Sequence, residues 1–214
     1  MRPGLPITLK GSVRKLVSPT YWAQKVYEAF LDATVPAHEV AAKGYLQPIE
    51  EKCLYRSARS VRSGGTIVEV GSYYGRSASL MGLGVRDSGR SARICCVDTW
   101  QNTAVPDAPA DIYDTFLSNV EPFRDLVTPL RGRSEEVAAS WSGPIDLLFI
   151  DGDHSFEGCR RDIECWVPFV RSGGWILFHD TDFPDVRRAI DSCDHLLPRR
   201  PRLRAWSILL VRKR

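Results

Sequence analysis

The sequence predicts an α/β fold in which a mostly parallel sheet is covered by helices on both faces. From residue 66 onward, short runs of strand-forming residues alternate with segments of helical periodicity. Strands separated by helices of this length pair in parallel through right-handed crossovers. Residues 66–82, TIVEVGSYYGRSASLMG, are typical of a buried strand, a glycine-rich turn and the start of a helix. A chain of 214 residues with 43% hydrophobic content can bury one good core, which favours one domain.

The first part of the chain is predicted to contain an arm and two helices. Residues 1–17 show no clear period. Pro19 opens a helix whose apolar residues recur at helical spacing, Pro36 ends it, and Pro48 opens the second helix. We expect residues 1–63 to act as a lid or an oligomer contact beside a core of residues 64–214, within one structural domain. The aromatic residues of the first helix could line a pocket, or pack on the sheet or on a second subunit.

The remaining elements follow in regular order. They are a strand from 66, a helix to about 86, strand 93–97, helix 111–120, strand 126–130, a helix from about 134, strand 145–150, helix 155–170, strand 175–178, helix 185–193 and a final strand 204–211. Helix 155–170 has one apolar face, and its polar residues are expected on the solvated side. Those polar residues are Arg160, Arg161, Asp162 and Glu164.

Polar residues follow each predicted strand. In an open doubly wound sheet, ligands bind beyond the carboxyl ends of the strands. The stretches at that edge are residues 71–75, 98–100, 132–135, 151–154 and 179–182. Their coincidence at one edge of the sheet predicts a ligand site.

Composition and charge argue against several classes of protein. The net charge of +3 is small, and the basic runs at 199–202 and 212–214 are expected to be solvated edges. The six cysteines include no C-x-x-C pair and are expected to be reduced core residues, with Cys95 and Cys96 on opposite faces of a strand. No apolar run approaches ~18 residues, and the first twenty residues lack a signal-peptide core. We therefore expect a cytoplasmic protein without a nucleic-acid or membrane partner.

The glycine-rich turn indicates the kind of ligand. Its G-x-x-x-G spacing lacks both G-x-G-x-x-G and a Walker lysine, so neither a dinucleotide nor a nucleoside triphosphate is favoured. Glu69, an ionisable residue in an apolar strand, is expected to face the ligand mouth because burial without partners is costly. Asp98 could accept both hydroxyls of a ribose, or could be a turn residue. Trp100 could stack on an adenine face, or could be core.

These motifs together resemble a known family. The stretches EVGSYYGRS at 69–77, GRSE at 132–135, IDGDH at 150–154 and FHDT at 178–181, with Asp98, resemble the class I S-adenosylmethionine-dependent methyltransferases, specifically small O-methyltransferases. The first loop is similar to that of catechol O-methyltransferases. The last two stretches are closer to the macrolide-sugar and natural-product branch.

The resemblance covers residues 64–182 and carries several implications. It implies a Rossmann-like, seven-stranded, mostly parallel sheet with helices on both faces and the last strand antiparallel. It also implies methyl transfer from S-adenosylmethionine to a hydroxyl of a small molecule, most plausibly a sugar or other natural product, by a homo-oligomer such as a dimer.

The resemblance implies a set of cofactor-binding residues. Glu69, Asp151 and backbone amides would hold the methionine ammonium and carboxylate. Ser134 and Glu135 stand at the position of the catechol family's adenine-contacting pair. The full set is Glu69, Gly71, Ser72, Tyr73, Gly75, Ser77, Asp98, Thr99, Trp100, Ser134, Glu135 and Asp151.

A metal ion and a general base are implied in the same way. Asp151, His179 and Asp180 would bind Mg²⁺ or Mn²⁺ beside the acceptor hydroxyl, with Asp151 counted among the catalytic residues. The sequence departs from the pattern at His179, where the sugar enzymes have a glutamate, and imidazole is a poor magnesium ligand. His154 would be the general base, with His179 the next candidate.

Alternative functions remain open from the sequence. A nucleic-acid methyltransferase or N-methyltransferase is disfavoured because no N-P-P-Y-type motif follows strand 145–150. A nucleoside-binding module without chemistry is disfavoured by the presence of Asp151, His154 and Asp180 together. The acceptor is not readable, because acceptor specificity is expected to lie in the N-terminal helices and the 100–112 loop.

Overall fold

A computed structural model describes residues 18–101, 110–197 and 202–213. The helices are α1 (Pro19–Thr34), α2 (Pro48–Arg59), α3 (Arg76–Asp87), α4 (Tyr113–Val120), α5 (Ser134–Ala139), α6 (Phe156–Trp166) and α7 (Pro184–Ser192). The strands are β1 (Gly65–Val70), β2 (Ala92–Asp98), β3 (Val127–Arg131), β4 (Ile145–Ile150), β5 (Val170–Phe178), β6 (Arg202–Ala205) and β7 (Ile208–Arg212).

The strands form one seven-stranded sheet in the order β3-β2-β1-β4-β5-β7-β6. Strands β1 to β5 pair in parallel, whereas β7 runs antiparallel to both β5 and β6. The predicted fold class is therefore confirmed. The parallel order brings the carboxyl ends of the first five strands to one edge, where the predicted polar stretches lie.

Three predicted boundaries are wrong. The strand predicted over residues 175–178 begins five residues earlier, since β5 is Val170–Phe178. The final strand over residues 204–211 is a hairpin, since β6 and β7 are joined by a two-residue turn at Trp206 and Ser207. Trp206 has a positive φ of 53°, which a tryptophan rarely adopts, so no turn residue marked the break in the sequence. The helix predicted over residues 155–170 ends at Trp166 and continues as a short 3₁₀ turn, because Pro168 cannot donate an intrahelical hydrogen bond.

The core lies on both faces of the sheet. Helices α1 to α4 contribute to one apolar cluster, and α5 to α7 contribute to the other. Cys95 and Cys96 belong to different clusters, as their adjacent positions in a strand predict, and all six cysteines are free. Among the described residues, no helix combines the length and the apolar character that crossing a membrane requires.

Helix α3 anchors the N-terminal helices to the sheet. Arg76, its first residue, forms an ion pair with Glu51 of α2 and donates to the backbone oxygens of Val40 and Ala42. The segment between α1 and α2 is thereby attached next to the glycine-rich turn. Residues 43–46 of this segment line the same cavity as the loops that follow the strands.

Candidate active site

A cavity of about 710 Å³ opens at the carboxyl ends of β1 to β5. This volume suits a cofactor-sized ligand. The loops after all five strands line it, so the structure brings the five predicted stretches together. Of the predicted site residues, all but Glu69 and Gly75 line the cavity. Part of the 100–112 loop lies outside the described residues.

The glycine-rich turn is shaped by close packing of backbone on backbone. Gly71 has a φ of 86°, and a β-carbon there would lie 2.7 Å from the Cα of Gly152 and collide with the backbone of Asp151. Gly75 has a φ of 84° at the start of α3, where a β-carbon would lie 2.8 Å from Val120. Both positions require glycine because other residues would be strained and lack space.

Asp98, at the end of β2, supports the turn. Its Oδ2 accepts hydrogen bonds from the amides of Ser72 and Tyr73 at 2.9 Å each, and its Oδ1 accepts from the amide of Trp100 at 2.7 Å. A carboxylate offers about four acceptor positions, so roughly one remains for a ligand. Asp98 therefore acts as a turn residue that keeps little acceptor capacity for a ligand, and its contact with a ribose stays a prediction.

The structure does not support stacking of Trp100 on an adenine ring. The Trp100 side chain is fully buried, packs against Tyr113 and Phe116, and donates from Nε1 to the backbone oxygen of Tyr73. Its ring therefore has no exposed face for a ligand, and the core alternative holds. Thr99, next to it, remains at the cavity wall.

Glu69 lies beneath the turn instead of facing the mouth. Its side chain is 0% exposed, and burial raises its pKa to about 7 although the hydroxyls of Ser77 and Ser72 oppose the shift. Ser72 Oγ donates to Oε2 at 2.7 Å, whereas Oε1 has no hydrogen-bond partner within the described part of the chain. The expectation that Glu69 faces the ligand mouth is therefore wrong, whereas its contact with the methionine ammonium stays a prediction; Ser72, which donates to Glu69, lines the cavity.

Asp151, His154 and Asp180 form a compact cluster of candidate metal ligands. One ligand atom from each lies within 4.8 Å of the others. His154 Nε2 is 2.9 Å from Asp180 Oδ2 and 3.7 Å from Asp151 Oδ1. Asp180 has a positive φ of 50°, and such backbone strain is common at functional sites.

His179 differs from its predicted role. It is 5% exposed, its Nδ1 is 2.8 Å from Asp151 Oδ1, and its Nε2 is 3.2 Å from Glu50 Oε2. Burial lowers its pKa, but the bonds to Asp151 and Glu50 outweigh burial and raise it to about 10. Both ring nitrogens of His179 therefore face carboxylates in this arrangement, so neither is free to bind a metal ion or to take a proton from an acceptor while these contacts are kept.

Glu50 is a site residue that the sequence did not reveal. It is 1% exposed, and besides His179 it binds Ser207, whose amide donates to Oε1 at 3.0 Å. It also accepts from the amide of Gln47 as part of a helix capping box. The capping pattern is visible in the sequence, but the long-range contact with His179 is not.

His154 is the accessible histidine of the site. It is 46% exposed, and the nearby carboxylates of Asp151 and Asp180 raise its pKa to about 9 although burial opposes the shift. Asp151 itself has a lowered pKa, since the bonds to His154 and His179 outweigh its burial. Without a cation on the carboxylates, His154 is therefore protonated at neutral pH.

The wall after β3 contains the predicted adenine contacts. Ser134 Oγ accepts from Trp166 Nε1 at 2.8 Å, and Glu135 forms ion pairs with Arg133 at 2.8 Å and Arg161 at 3.5 Å. Asp162 also lies in this wall and is 5% exposed. The expectation that Asp162 faces solvent is wrong, because α6 turns it toward the cavity.

Comparisons with known proteins identify the family and the fold. Residues 68–181 match the family described as a methyltransferase domain. The fold is similar to that of the O-methyltransferase NovP (TM-score 0.64, 15% identity, 89% of this chain and 99% of NovP). It is also similar to TomG from Streptomyces achromogenes, solved with S-adenosylmethionine (TM-score 0.62, 13% identity, 92% and 100%). CalS11, a TDP-rhamnose 3'-O-methyltransferase of calicheamicin biosynthesis, also matches (TM-score 0.52, 19% identity, 97% and 88%).

Two curated relatives have similar sequences over about half of the chain. The uncharacterized protein y4gI of Sinorhizobium fredii is 28% identical over 118 residues, 54% of this chain. The uncharacterized protein R132 of Acanthamoeba polyphaga mimivirus is 24% identical over 119 residues, also 54% of this chain. The matched regions span 13% and 51% of those two proteins. The family match covers more than half of the chain, and the chain therefore belongs to the methyltransferase-domain family.

Proposed function

We propose that the protein is an S-adenosylmethionine-dependent O-methyltransferase that acts on a hydroxyl of a small molecule such as a sugar or another natural product. The observation that carries the proposal is the cavity itself. It joins a glycine turn that fits a cofactor chain, a β2 carboxylate that fits a ribose, and the cluster of Asp151, His154 and Asp180. Solved proteins of this fold include O-methyltransferases with S-adenosylmethionine bound.

The order of the strands supports one orientation of the cofactor. With the ribose at Asp98, the methionine part would lie over the turn at Gly71 and Ser72, toward β4. The base would then lie on the opposite side, toward Ser134 and Glu135 after β3. This orientation directs the reacting methyl group toward the cluster at the ends of β4 and β5.

The donor atoms of the cluster fit a hard divalent cation. Asp151 and Asp180 supply carboxylate oxygens, which Mg²⁺ and Mn²⁺ prefer. These two carboxylates would hold the cation, with His179 removed from the predicted ligand set. Such a cation, when bound, lowers the pKa of an acceptor hydroxyl.

His154 would take the proton of the acceptor. With Asp151 and Asp180 engaged by a cation, His154 loses the two partners that hold its own proton, so the neutral imidazole becomes available. Bound S-adenosylmethionine would supply the methyl group and leave as S-adenosylhomocysteine, and His154 would accept the proton that the acceptor hydroxyl gives up as its oxygen takes the methyl group.

A methyl-transfer assay tests the proposal. Purified protein with S-adenosylmethionine is given a panel of sugar nucleotides, phenols and amines, with Mg²⁺, Mn²⁺ or EDTA, and both methylated product and S-adenosylhomocysteine are measured. We expect methylation of a hydroxyl that EDTA abolishes and Mn²⁺ restores. Methylation of amines alone would overturn the proposed acceptor, and full activity after exhaustive EDTA dialysis would overturn the metal.

A further inference from the structure

Asp162 is a buried carboxylate that the proposed chemistry does not use. It lies on α6, is 5% exposed and lines the cavity. The loop after β4 passes close to this carboxylate at Gly152. A β-carbon on Gly152 would lie only 3.0 Å from Asp162 Oδ2, so the close approach depends on the glycine. Burying a carboxylate is costly unless hydrogen-bond donors surround it.

The protein supplies only one donor to this carboxylate among the described residues. Burial, together with the charges of Asp153 and Glu135, raises the pKa of Asp162 to about 6. The hydroxyl of Ser134 opposes this rise. An arginine, Arg161, is adjacent in sequence, but it pairs with Glu135 at 3.5 Å. Asp162 therefore retains unused acceptor positions that face the cavity.

Ser134 already has two neighbours in this wall. Its Oγ accepts from Trp166 Nε1 at 2.8 Å, and its hydroxyl opposes the rise in the pKa of Asp162. Glu135, the other predicted adenine contact, is neutralised by Arg133 and Arg161. The free acceptor of this wall is the Asp162 carboxylate.

The wall lies where a nucleobase would be placed. Gly132, which precedes Ser134, donates its amide to the backbone oxygen of Asp98 at 3.0 Å, so the β3 loop lies directly beside the ribose candidate. The glycine turn occupies the other side of Asp98, where Ser72 and Tyr73 donate to it. A nucleoside held at Asp98 with its tail over the turn thus directs its base toward Ser134 and Asp162.

We propose that Asp162 determines the base specificity of the cofactor site by accepting a hydrogen bond from the exocyclic amine of adenine. The inference rests on the proposed function, because it assumes an adenosyl cofactor. Adenine presents a donor at its 6-position, which a carboxylate accepts, whereas hypoxanthine presents an oxygen that the carboxylate repels. Ser134 holds Asp162 in position instead of contacting the base.

Calorimetric titration with two ligands tests the proposal. S-adenosylhomocysteine is compared with S-inosylhomocysteine, which differs by a carbonyl oxygen in place of the amine. We expect the native protein to bind the adenine compound about 100-fold more tightly, as is typical when a buried polar group faces a mismatched partner. In Asp162→Asn the amide can donate to the oxygen, so the preference should fall below about 5-fold.

A matched control is Asp153→Asn, which removes the same charge from another part of the lining of the same cavity. Asp153 accepts from the amide of Ser155 at 2.8 Å and is exposed, so this variant should keep the native preference. An unchanged preference in Asp162→Asn, or a loss in Asp153→Asn alone, would overturn the assignment to Asp162. Equal binding of both compounds by the native protein would overturn it without any variant. Failure of the native protein to bind S-adenosylhomocysteine at all would instead overturn the proposed function.

Discussion

The two ends of strand β4 each carry an aspartate with low exposure, and the two are partnered in opposite ways. At the amino end, Asp146 is bound by Arg62 at 2.8 Å, by Arg171 at 2.5 Å and by the amide of Thr66 at 3.0 Å. At the carboxyl end, Asp151 shares His154 and His179 with further carboxylates. One end has an excess of positive charge around its acid, and the other has an excess of negative charge.

The difference separates a structural acid from the acids that we propose to be functional. Arg171, the Thr66 amide and Arg62 outweigh burial and lower the pKa of Asp146, so this residue fastens β1, β4 and β5 together. At the carboxyl end, ligand atoms of Asp151, His154 and Asp180 lie within 4.8 Å of one another, an arrangement that could hold a cation. Variants at the carboxyl end should therefore change binding and turnover, and variants at the amino end should change stability.

The largest expected effect is on turnover in His154→Ala. If His154 takes the acceptor proton, kcat should fall about 10²- to 10⁴-fold, while the affinity for S-adenosylhomocysteine stays within about 2-fold. His195→Ala, which changes an exposed histidine outside the cavity, should keep native kcat. Steady-state kinetics with saturating Mn²⁺ measures both. A fully active His154→Ala enzyme would contradict the base assignment.

Asp146→Ala should give the largest loss of stability. Removing a buried acceptor with three donors should lower the free energy of unfolding by about 2–4 kcal/mol, because Thr66 and both arginines lose their partner. For a chain of this size the midpoint of thermal unfolding should fall by roughly 6–12 °C. Urea and heat unfolding measure the change. The affinity for S-adenosylhomocysteine should remain native, and a large loss of affinity would break the contrast between the two ends.

Glu69→Gln should change the pH dependence of stability. The pKa of Glu69 rises from an ordinary 4.5 to about 7 in the folded protein, so between these values the folded state holds a proton that the unfolded state releases. Its contribution to the free energy of unfolding therefore falls as pH rises from 4.5 to 7. Glutamine removes this slope, and urea unfolding at pH 5 and pH 8 should show the variant gaining about 1–3 kcal/mol relative to the native protein. A difference that is the same at both pH values would contradict the buried position of Glu69.

Glu50→Gln should give the smallest of these effects, a loss of metal affinity of about 10-fold. Glutamine keeps the shape and can still accept from Ser207, but it loses the charge that holds His179 against Asp151. Titration with Mn²⁺ measures the affinity. Glu51→Gln, which makes the same change one residue along α2, is the control and should bind Mn²⁺ normally. Equal Mn²⁺ affinity in the native protein and Glu50→Gln would show that Glu50 only caps its helix.

The sequence predicted the parts of the molecule that depend on local pattern. The periodicity of apolar residues in strands and helices predicted the α/β fold. Because ligands bind beyond the carboxyl ends of the strands in such a sheet, the five polar stretches were expected at one edge. The roles of His179 and Asp162 could not be read, because they depend on contacts with residues far apart in the chain, such as Glu50 and Ser134. The hairpin turn at Trp206 could not be predicted either, because nothing in the sequence indicates that a tryptophan adopts a positive φ. Local chemistry therefore located the site, and long-range packing decided which of its side chains are free.

The most direct test of the account is a calorimetric titration of the native protein and Gly71→Val with S-adenosylhomocysteine, using NAD as the competing cofactor class. We expect the native protein to bind S-adenosylhomocysteine with a Kd on the order of micromolar and not to bind NAD. Gly71→Val should show no binding, because the branched side chain meets the backbone of Asp151 and resists the positive φ. Circular dichroism checks that the variant is folded. Binding of NAD but not S-adenosylhomocysteine by the native protein, or native affinity in folded Gly71→Val, would contradict the central claim.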